Sequence, residues 1–333
     1  MKVSIIGSGS WGTALAQVLA DNDVDVLIYG RDESQIIDIN QNHKNSQFFN
    51  DTILNQKLTA TLNFDHTLDS EIFLLAVPTT VIESVCQQIN TNVNHPFYII
   101  NVAKGFHPTT FKRMSEVIKE NIDPAKLIDV ISLIGPSHAE EVVLRLLTAI
   151  NAVSENEESA QMVQKLFSNN YMRIYTNTDV IGAELGVAIK NSIALASGMI
   201  EGLGFGDNTR AALITRGLAE MTRYGIKCGG KMETYLGLCG LGDLIVTCTS
   251  KHSRNFQAGY AIGKANDAKQ FLESNTKTVE GINTANAIYH HAKEIGVDMP
   301  IVNQIYRVLY ENAKPSICIN ELMNRKLVSE IKE

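Results

Sequence analysis

Short apolar segments alternate with segments of helical periodicity through the first 180 residues, and this alternation constrains the fold most strongly. The strand-like segments are 2–7, 25–30, 71–78, 97–105, 127–136, 148–154 and 171–178. Helical patterns lie between them, at 11–22, 79–89 and 109–120 among others. Strands that alternate with helices usually form a parallel sheet. We therefore predict an α/β domain with a mostly parallel sheet and helices on both faces.

The pattern changes near residue 180. Beyond that point the sequence has helical periodicity and glycine-rich loops, without a convincing series of strands. The segments 284–296 and 300–312 read as helices, and Pro300 suits the first turn of the second one. A chain of 333 residues commonly forms two domains. We predict an α/β domain over residues 1–180 and an all-helical domain over 181–333.

Charge and cysteine content argue against several classes of protein. A net charge of −7 disfavours a nucleic-acid binder. The five cysteines are odd in number and include no C-x-x-C pair, so neither a disulfide framework nor a metal site is expected. We expect a reducing, cytoplasmic setting. Glycines interrupt the apolar N-terminal run by residue 7, and we expect neither a targeting signal nor a membrane span.

Three glycines follow the first predicted strand and open the first predicted helix. Gly7, Gly9 and Gly12 have G-x-G-x-x-G spacing. In this context the first glycine permits a tight turn, the second lets the backbone approach a pyrophosphate, and the third allows close helix packing. The alternative is an ordinary strand–turn–helix loop. The context favours a site for a dinucleotide cofactor.

Arg31 and Asp32 follow the second predicted strand. An acid at this place favours the ribose hydroxyl of NAD, whereas an arginine accommodates the 2′-phosphate of NADP. Because the arginine comes first, we expect use of NADPH with NADH tolerated. The alternative is that Arg31 is a solvated loop charge.

Lys190 stands in a helical segment of small and apolar residues, GAELGVAIKNSIALASGM. Its helical neighbours are Gly186, Val187, Ile193 and Ala194, so no local acid pairs with the ammonium. Burying an ammonium is costly. One interpretation is that the side chain extends to solvent along its own stem. The other is a functional lysine close to the predicted domain junction, where small-molecule sites are common.

Two helix starts carry polar residues. Ser137 and Glu140 have the S-x-x-E spacing of a capping box after a predicted strand, at the sheet edge where ligands bind in such folds. Ser253, Arg254 and Asn255 open a later helical pattern. A plain N-cap at Ser253 is one interpretation. The arginine fork and the helix N-terminus together favour an anion site.

The sequence around Lys104 and around Asp243 is a less specific indication of function. Lys104 ends a predicted strand and would point into the ligand crevice, or be a loop charge. Asp243 lies in a glycine-rich turn, where aspartate is common for structural reasons.

The chain closely resembles the bacterial NAD(P)-dependent glycerol-3-phosphate dehydrogenases over nearly its whole length. The matching motifs are GSGSWGTALA, AKG, GPSHAEE, ELGVAIKNSIALASGMIEGLGFGDNTRAALITRGLAEM, GLGDLIVTCTSKHSRN and VEG. The resemblance implies a Rossmann-type domain followed by a helical domain of the 6-phosphogluconate-dehydrogenase-like kind, in a homodimer. It implies interconversion of dihydroxyacetone phosphate and sn-glycerol 3-phosphate with NADP(H) or NAD(H), feeding phospholipid synthesis.

The resemblance also implies roles for individual residues. Catalysis would involve Lys190 as proton donor or acceptor, with Lys104 and Asp243. The residues expected to bind the cofactor are Gly7, Gly9, Ser10, Trp11, Gly12, Arg31, Lys104, Ala139, Arg254, Thr278 and Glu280. The residues expected to bind the substrate are Lys104, Gly135, Ser137, Lys190, Asn191, Asp243, Ser253, Arg254 and Asn255.

The match is not uniform. The stretch VLRLLTA at 143–149 replaces a glycine and a proline that are usual in the family, and 46–54 departs from its tyrosine–leucine–proline pattern. Thr278 stands where valine is more common. The first two departures affect local loop geometry, and the third affects one expected cofactor contact.

The expected chemistry explains why an apolar helix would carry a lysine. A desolvated Lys190 would have a lowered pKa and could protonate the carbonyl oxygen, with Asp243 opposing that shift. Arg254 and Asn255 would hold the phosphate. Two alternatives stay open: a dehydrogenase of the same plan acting on another hydroxy acid or sugar acid, and a non-catalytic dinucleotide sensor.

Overall fold

The computed structural model describes residues 1–275 and 278–330. The chain divides into two compact units. The first unit comprises 1–187 and 228–243, and the second comprises 188–227 and the residues from 244 onward. The predicted division at 180/181 therefore stays a prediction, since a long helix begins in one unit and ends in the other.

The first unit is built on an eight-stranded sheet. Its strands are β1 (Lys2–Ile6), β2 (Asp25–Tyr29), β3 (Thr59–Thr61), β4 (Ile72–Leu75), β5 (Phe97–Asn101), β6 (Leu127–Ile134), β7 (Thr148–Val153) and β8 (Met172–Asn177). Their order is β3-β2-β1-β4-β5-β6-β7-β8. All neighbouring pairs are parallel except β6 and β7, which are antiparallel. The predicted mostly parallel sheet is confirmed, and β3 is a strand that the sequence analysis missed.

Helices cover both faces of this sheet. They are α1 (Ser10–Asp21), α2 (Glu33–Ile37), α3 (Ser46–Phe49), α4 (Ile82–Asn92), α5 (Met114–Asn121), α6 (Ala139–Val142) and α7 (Glu157–Phe167). Consecutive strand residues point to opposite faces. Accordingly, Ile5 belongs to a core cluster with residues of α1 and α7, and Ile6 to a second cluster with residues of α4 and α5. The helix predicted at 109–120 begins only at Met114.

The rest of the chain is helical. Its helices are α8 (Val180–Gly202), α9 (Asp207–Lys227), α10 (Met232–Leu236), α11 (Asp243–Thr249), α12 (Arg254–Ala265), α13 (Lys269–Ser274), α14 (Glu280–Glu294), α15 (Pro300–Tyr310) and α16 (Pro315–Met323). Short π-helical turns occupy Asp38–Asn42 and Leu238–Gly242, and 3₁₀ turns occupy Phe64–Thr67 and Thr79–Val81. Within 180–275 and 278–330 there is no strand, as predicted, and Pro300 lies in the first turn of α15.

Small residues let α8 and α12 pack backbone against backbone in the second unit. A Cβ atom at Gly198 would lie 2.1 Å from the carbonyl oxygen of Phe256, and one at Gly259 would lie 2.0 Å from that of Leu195. By length and composition α8 could cross a membrane. However, 94% of its most apolar window is buried within the protein, as in a core helix.

A buried carboxyl group in the second unit makes stability depend on pH. Glu220 is 4% exposed and accepts hydrogen bonds from the backbone N–H groups of Ile301 (2.8 Å) and Val302 (3.4 Å). Burial raises the pKa of Glu220 to about 7, above its usual value of 4.5. The folded state thus retains a proton that the unfolded state releases. We expect this group's contribution, about 3 kcal/mol, to be lost as pH rises from about 4.5 to about 7.

Urea unfolding of the wild type and of Glu220→Gln at pH 5 and pH 8 measures this contribution. The variant should lose less stability than the wild type over this interval, because its amide does not titrate. Burial also raises the pKa of Glu184, which both proteins contain. The stability of both should therefore still fall somewhat as pH rises. Equal losses in the two proteins would contradict the assignment to Glu220.

Candidate active site

The glycine loop between β1 and α1 has the shape that its spacing predicts. Gly7 has φ +121°, and a Cβ there would lie 2.4 Å from the carbonyl oxygen of Ala76. A Cβ on Gly12 would lie 2.2 Å from the carbonyl oxygen of Gly7. At Gly9, by contrast, a Cβ would meet no described atom within 4 Å. The loop therefore closes tightly on one side and leaves open space on the other, at the N-terminus of α1.

The first turn of α1 suits an anionic ligand. It contains no acidic residue, and it begins with Ser10 and Trp11. Helix N-termini attract anions through their N–H groups and their dipole. Among the described residues, the buried Nε1 of Trp11 has no hydrogen-bond partner. The open space at Gly9 and this unsatisfied donor fit the pyrophosphate side of a dinucleotide.

The segment after β2 places its two charged residues differently. Asp32 is the N-cap of α2, and its carboxylate accepts hydrogen bonds from the hydroxyl and backbone N–H of Ser34 and from Gln35. The Ser34 hydroxyl is the main cause that holds the pKa of Asp32 below its usual value. Arg31 is exposed. The Asp32 carboxylate thus caps the start of α2, and Arg31 is exposed to solvent.

Lys104 and Asp243 meet in the first unit. The Lys104 ammonium donates to the carbonyl oxygen of Gly135 at 2.8 Å and lies 3.2 Å from a carboxylate oxygen of Asp243. Asp243 is 0% exposed and is the first residue of α11. Ser137 also donates to the Gly135 carbonyl, at 3.1 Å. These four predicted site residues therefore form one cluster, which excludes the interpretation of Lys104 as an unconstrained loop charge.

Gly135 is required by this cluster. It has φ +152°, and a Cβ would lie 2.9 Å from the Cα of Ile150. We expect Gly135→Ala to destabilise the protein by about 2 kcal/mol and to weaken activity, because relieving the clash moves the carbonyl that binds Lys104. Urea unfolding and steady-state kinetics measure the two effects.

The matched control is Gly204→Ala. Gly204 has φ +85°, but a Cβ there would meet no described atom within 4 Å. It therefore shares the positive φ without the clash. If both alanine variants were equally stable and active, Gly135 would have no special role.

The predicted capping box is wrong. Helix α6 begins at Ala139, its N-cap residue is His138, and no side-chain hydrogen bond caps it. The Ser137 hydroxyl turns back to Gly135 instead. The positive φ of Gly135 brings its carbonyl within reach of that hydroxyl, so Ser137 belongs to the Lys104 cluster and does not start the helix.

Lys190 is buried. Its side chain lies in α8, in the second unit, and the residue is 4% exposed. The ammonium donates to the hydroxyl oxygen of Thr247 in α11 at 2.7 Å. The interpretation in which Lys190 extends to solvent is therefore wrong. Burying an ammonium is costly, and buried ionisable groups are frequent at functional sites.

Asn191 follows this lysine in sequence, and its side chain contacts that of Asn255. The Asn255 amide donates to Asn191 at 3.0 Å and accepts from the backbone N–H of Gly281 at 2.9 Å. Ser192, next along α8, donates to the Gly281 carbonyl at 3.0 Å. These bonds fix the orientation of Asn191 and Asn255.

The start of α12 combines a cap with an exposed cation. Ser253 is the N-cap and accepts from the N–H of Phe256 at 3.2 Å, as one interpretation predicted. Arg254 is exposed, and its guanidinium makes no hydrogen bond or ion pair with any residue that the structure describes. The arrangement leaves a positive charge at a helix N-terminus.

The remaining predicted cofactor contacts are spread along the chain. Ala139 is buried at the start of α6, Glu280 is the first residue of α14, and Thr278 is exposed just before it.

Two polar residues were not predicted from the sequence. Thr247 lies four residues after Asp243, and Glu184 lies six residues before Lys190. Both are buried, so a helical polar residue on an apolar face was the signal.

The sequence is similar to known proteins over nearly its whole length. Residues 2–160 match the model of the N-terminal part of NAD-dependent glycerol-3-phosphate dehydrogenase, and 179–320 match that of its C-terminal part. A glycerol-3-phosphate dehydrogenase [NAD(P)+] from Listeria monocytogenes is 48% identical, covering 98% of this chain and 96% of the relative. One from Macrococcus caseolyticus is 47% identical, covering 99% and 100%.

A solved structure is similar over nearly the whole chain as well. The crystal structure of glycerol-3-phosphate dehydrogenase from Coxiella burnetii superposes with a TM-score of 0.89 at 32% identity, covering 97% of this chain and 99% of that one. The expected resemblance and fold class are confirmed. The chain belongs to the NAD-dependent glycerol-3-phosphate dehydrogenase family.

Proposed function

We propose that this protein reduces dihydroxyacetone phosphate to sn-glycerol 3-phosphate, reversibly, with Lys190 as the proton donor to the substrate oxygen. As a member of its family it is an NAD(P)-dependent oxidoreductase that acts on a CH–OH group. The observation that carries the proposal is the buried Lys190 ammonium, hydrogen-bonded to the Thr247 hydroxyl. A lysine that reached solvent would not need to lie in a helix of small and apolar residues.

Lys190 acts at the carbonyl oxygen. When bound, the reduced nicotinamide supplies the hydride that the carbonyl carbon accepts. Negative charge then develops on the oxygen, and the Lys190 ammonium stabilises it and gives up a proton. The hydrogen bond to the Thr247 hydroxyl in α11 holds the Lys190 ammonium in place, so the direction of the ammonium is set before the substrate binds. In the reverse direction the neutral amine accepts the proton.

Lys104 and Asp243 organise the polar end of the substrate. Their contact at 3.2 Å keeps one positive and one negative charge fixed in a mostly buried setting. The Gly135 carbonyl adds a second restraint on the Lys104 ammonium. We infer that these groups orient the hydroxyl and carbonyl oxygens, since a fixed dipole costs no reorganisation during the reaction.

Arg254 and the N-terminus of α12 are proposed to bind the phosphate. The guanidinium offers a planar pair of donors, and the helix end adds its dipole. The side-chain amide of Asn255 donates a hydrogen bond to that of Asn191. The other polar atoms of these two amides would contact the substrate. Phosphate binding at this point would position the carbonyl carbon, which is the main requirement for hydride transfer.

The cofactor would be held by the glycine loop and the first turn of α1. The residues proposed for it are Gly7, Gly9, Ser10, Trp11, Gly12, Arg31, Lys104, Ala139, Arg254, Thr278 and Glu280. The tight side of the loop at Gly7 and Gly12 and its open side at Gly9 support this assignment.

Cofactor preference should depend on Arg31. Asp32 is occupied as the cap of α2, and Arg31 beside it is the residue proposed to meet a 2′-phosphate. Hydrogen bonds to charged groups contribute about 1.5–3 kcal/mol, so Arg31→Ala should raise the KM for NADPH about tenfold or more and change that for NADH little. Steady-state kinetics with both cofactors provides the check. Equal changes for both would show that Arg31 does not discriminate.

We further propose that the protein is a cytoplasmic homodimer whose product feeds glycerophospholipid synthesis. The family resemblance supports all three statements. Sedimentation velocity of the purified protein tests the dimer, and a monomer at all concentrations would contradict it.

A substrate panel tests the proposed reaction against its rival. Oxidation of NADPH, and separately of NADH, is followed with dihydroxyacetone phosphate, dihydroxyacetone and a series of 2-oxo acids. We expect kcat/KM to be highest for the phosphorylated ketone. A higher value for a 2-oxo acid would favour a dehydrogenase of another specificity, and cofactor binding without turnover would favour a sensor.

A further inference from the structure

A second buried carboxylate, Glu184, joins three elements of the first unit. It lies in the second turn of α8 and is 7% exposed. Its two oxygens accept hydrogen bonds from Ser132 in β6 (2.8 Å) and Ser115 in α5 (2.7 Å). The Arg113 guanidinium donates to the same oxygen as Ser115, at 3.3 Å. The proposed reaction uses none of these four side chains.

Two partners of Glu184 are connected through the backbone to residues of the Lys104 cluster. Strand β6 carries Ser132 and ends just before Gly135, whose carbonyl binds the Lys104 ammonium. Arg113 closes the loop that begins at Lys104, because Phe106 and Arg113 form an isolated β-bridge. Glu184 therefore ties the strand that presents the carbonyl to the loop that presents the ammonium.

Stability alone does not account for this arrangement. Burial raises the pKa of Glu184, while the Ser115 hydroxyl, the Arg113 charge and the Ser132 hydroxyl oppose the shift. Replacing a buried ion pair by apolar residues is often neutral or stabilising, so such a pair is weak support for a structural role. Polar side chains behind a reacting site commonly hold it to a fraction of an ångström.

We propose that Glu184 is a positioning residue, which fixes Lys104 against Gly135 by joining β6 to the end of the Lys104 loop. This inference rests on the proposed function, in which Lys104 orients the substrate. It adds a residue that acts through its neighbours and does not itself touch the substrate.

The test compares two buried glutamates. Glu184→Gln keeps the side-chain shape and removes the charge that Arg113 and both serines share. Glu220→Gln is the matched control, because Glu220 is equally buried but contacts only the second unit's α15 in the bonds described. We expect kcat/KM for dihydroxyacetone phosphate to fall about tenfold to a hundredfold in Glu184→Gln, since small displacements are that costly. Both kcat/KM and NADPH affinity should stay unchanged in Glu220→Gln.

A double-mutant cycle with Lys104→Met separates positioning from general loss of stability. If Glu184 acts through Lys104, Glu184→Gln should have little further effect on kcat/KM once Lys104 is replaced. Independent effects that multiply in the double variant would overturn the inference.

Chemical labelling tests the same inference without relying on turnover. Acetic anhydride labelling of Lys104, quantified by mass spectrometry of its peptide, should be faster in Glu184→Gln than in the wild type and in Glu220→Gln. Unchanged labelling would overturn the inference. A wild type that does not reduce dihydroxyacetone phosphate would refute the proposed function instead, and the labelling result would still decide whether Glu184 holds Lys104.

Discussion

Replacing Lys190 with methionine should lower kcat for reduction of dihydroxyacetone phosphate about 10³-fold, within the range that general acids contribute. Methionine fills a similar volume but has no proton to give and no charge to place near the developing oxyanion. NADPH binding should be unchanged, because the glycine loop and α1 are untouched. Stopped-flow kinetics and NADPH fluorescence titration measure the two quantities.

Two further variants make this result interpretable. Thr247→Val removes the hydroxyl that Lys190 contacts at 2.7 Å and leaves the lysine in place. It should reduce kcat less than Lys190→Met does, because the acid remains but is less well directed. If Lys190→Met folded, bound NADPH and retained kcat near the wild-type value, Lys190 would not be the proton donor.

Replacing Arg254 with alanine should remove most of the protein's selectivity for a phosphorylated substrate. The wild type should prefer dihydroxyacetone phosphate over dihydroxyacetone by a large ratio of kcat/KM. Arg254→Ala should lower that ratio about a hundredfold, since a charged, bidentate hydrogen bond to phosphate contributes about 1.5–3 kcal/mol. Rates with dihydroxyacetone itself, measured at saturating cofactor, should change little.

The control is Lys251→Ala, which removes an exposed positive charge three residues earlier in the same segment. It separates a specific phosphate contact from a general loss of positive potential. An unchanged kcat/KM for dihydroxyacetone phosphate in Arg254→Ala, or an equal loss in Lys251→Ala, would show that the phosphate binds elsewhere.

The fold was largely predictable because its strands are buried and its helices are periodic. All seven predicted strands exist, since fully buried strands such as β4 are unbroken apolar runs. Strand β3 was missed because it has three residues, too few for a pattern to appear. The helix at 109–120 was placed too early because Phe111, at φ +56°, leaves the helical region.

Candidate site residues could be predicted where a residue differs from its neighbours in the sequence. Their long-range contacts could not be predicted. Lys190 is conspicuous because its helical neighbours are apolar, yet its partner Thr247 lies 57 residues away in the chain. Glu184 meets Ser132 across 52 residues. The S-x-x-E spacing misled because the turn at Gly135 redirects the Ser137 hydroxyl. Pairings of this kind are set by tertiary structure and not by sequence spacing.

The most direct test of the proposed reaction is to identify its product. Purified wild-type protein is incubated with dihydroxyacetone phosphate and NADPH, and the glycerol phosphate formed is assayed for configuration and amount. We expect one sn-glycerol 3-phosphate for each NADPH oxidised, and no sn-glycerol 1-phosphate. A protein that binds NADPH but neither oxidises it with this ketone nor forms that product would contradict the account.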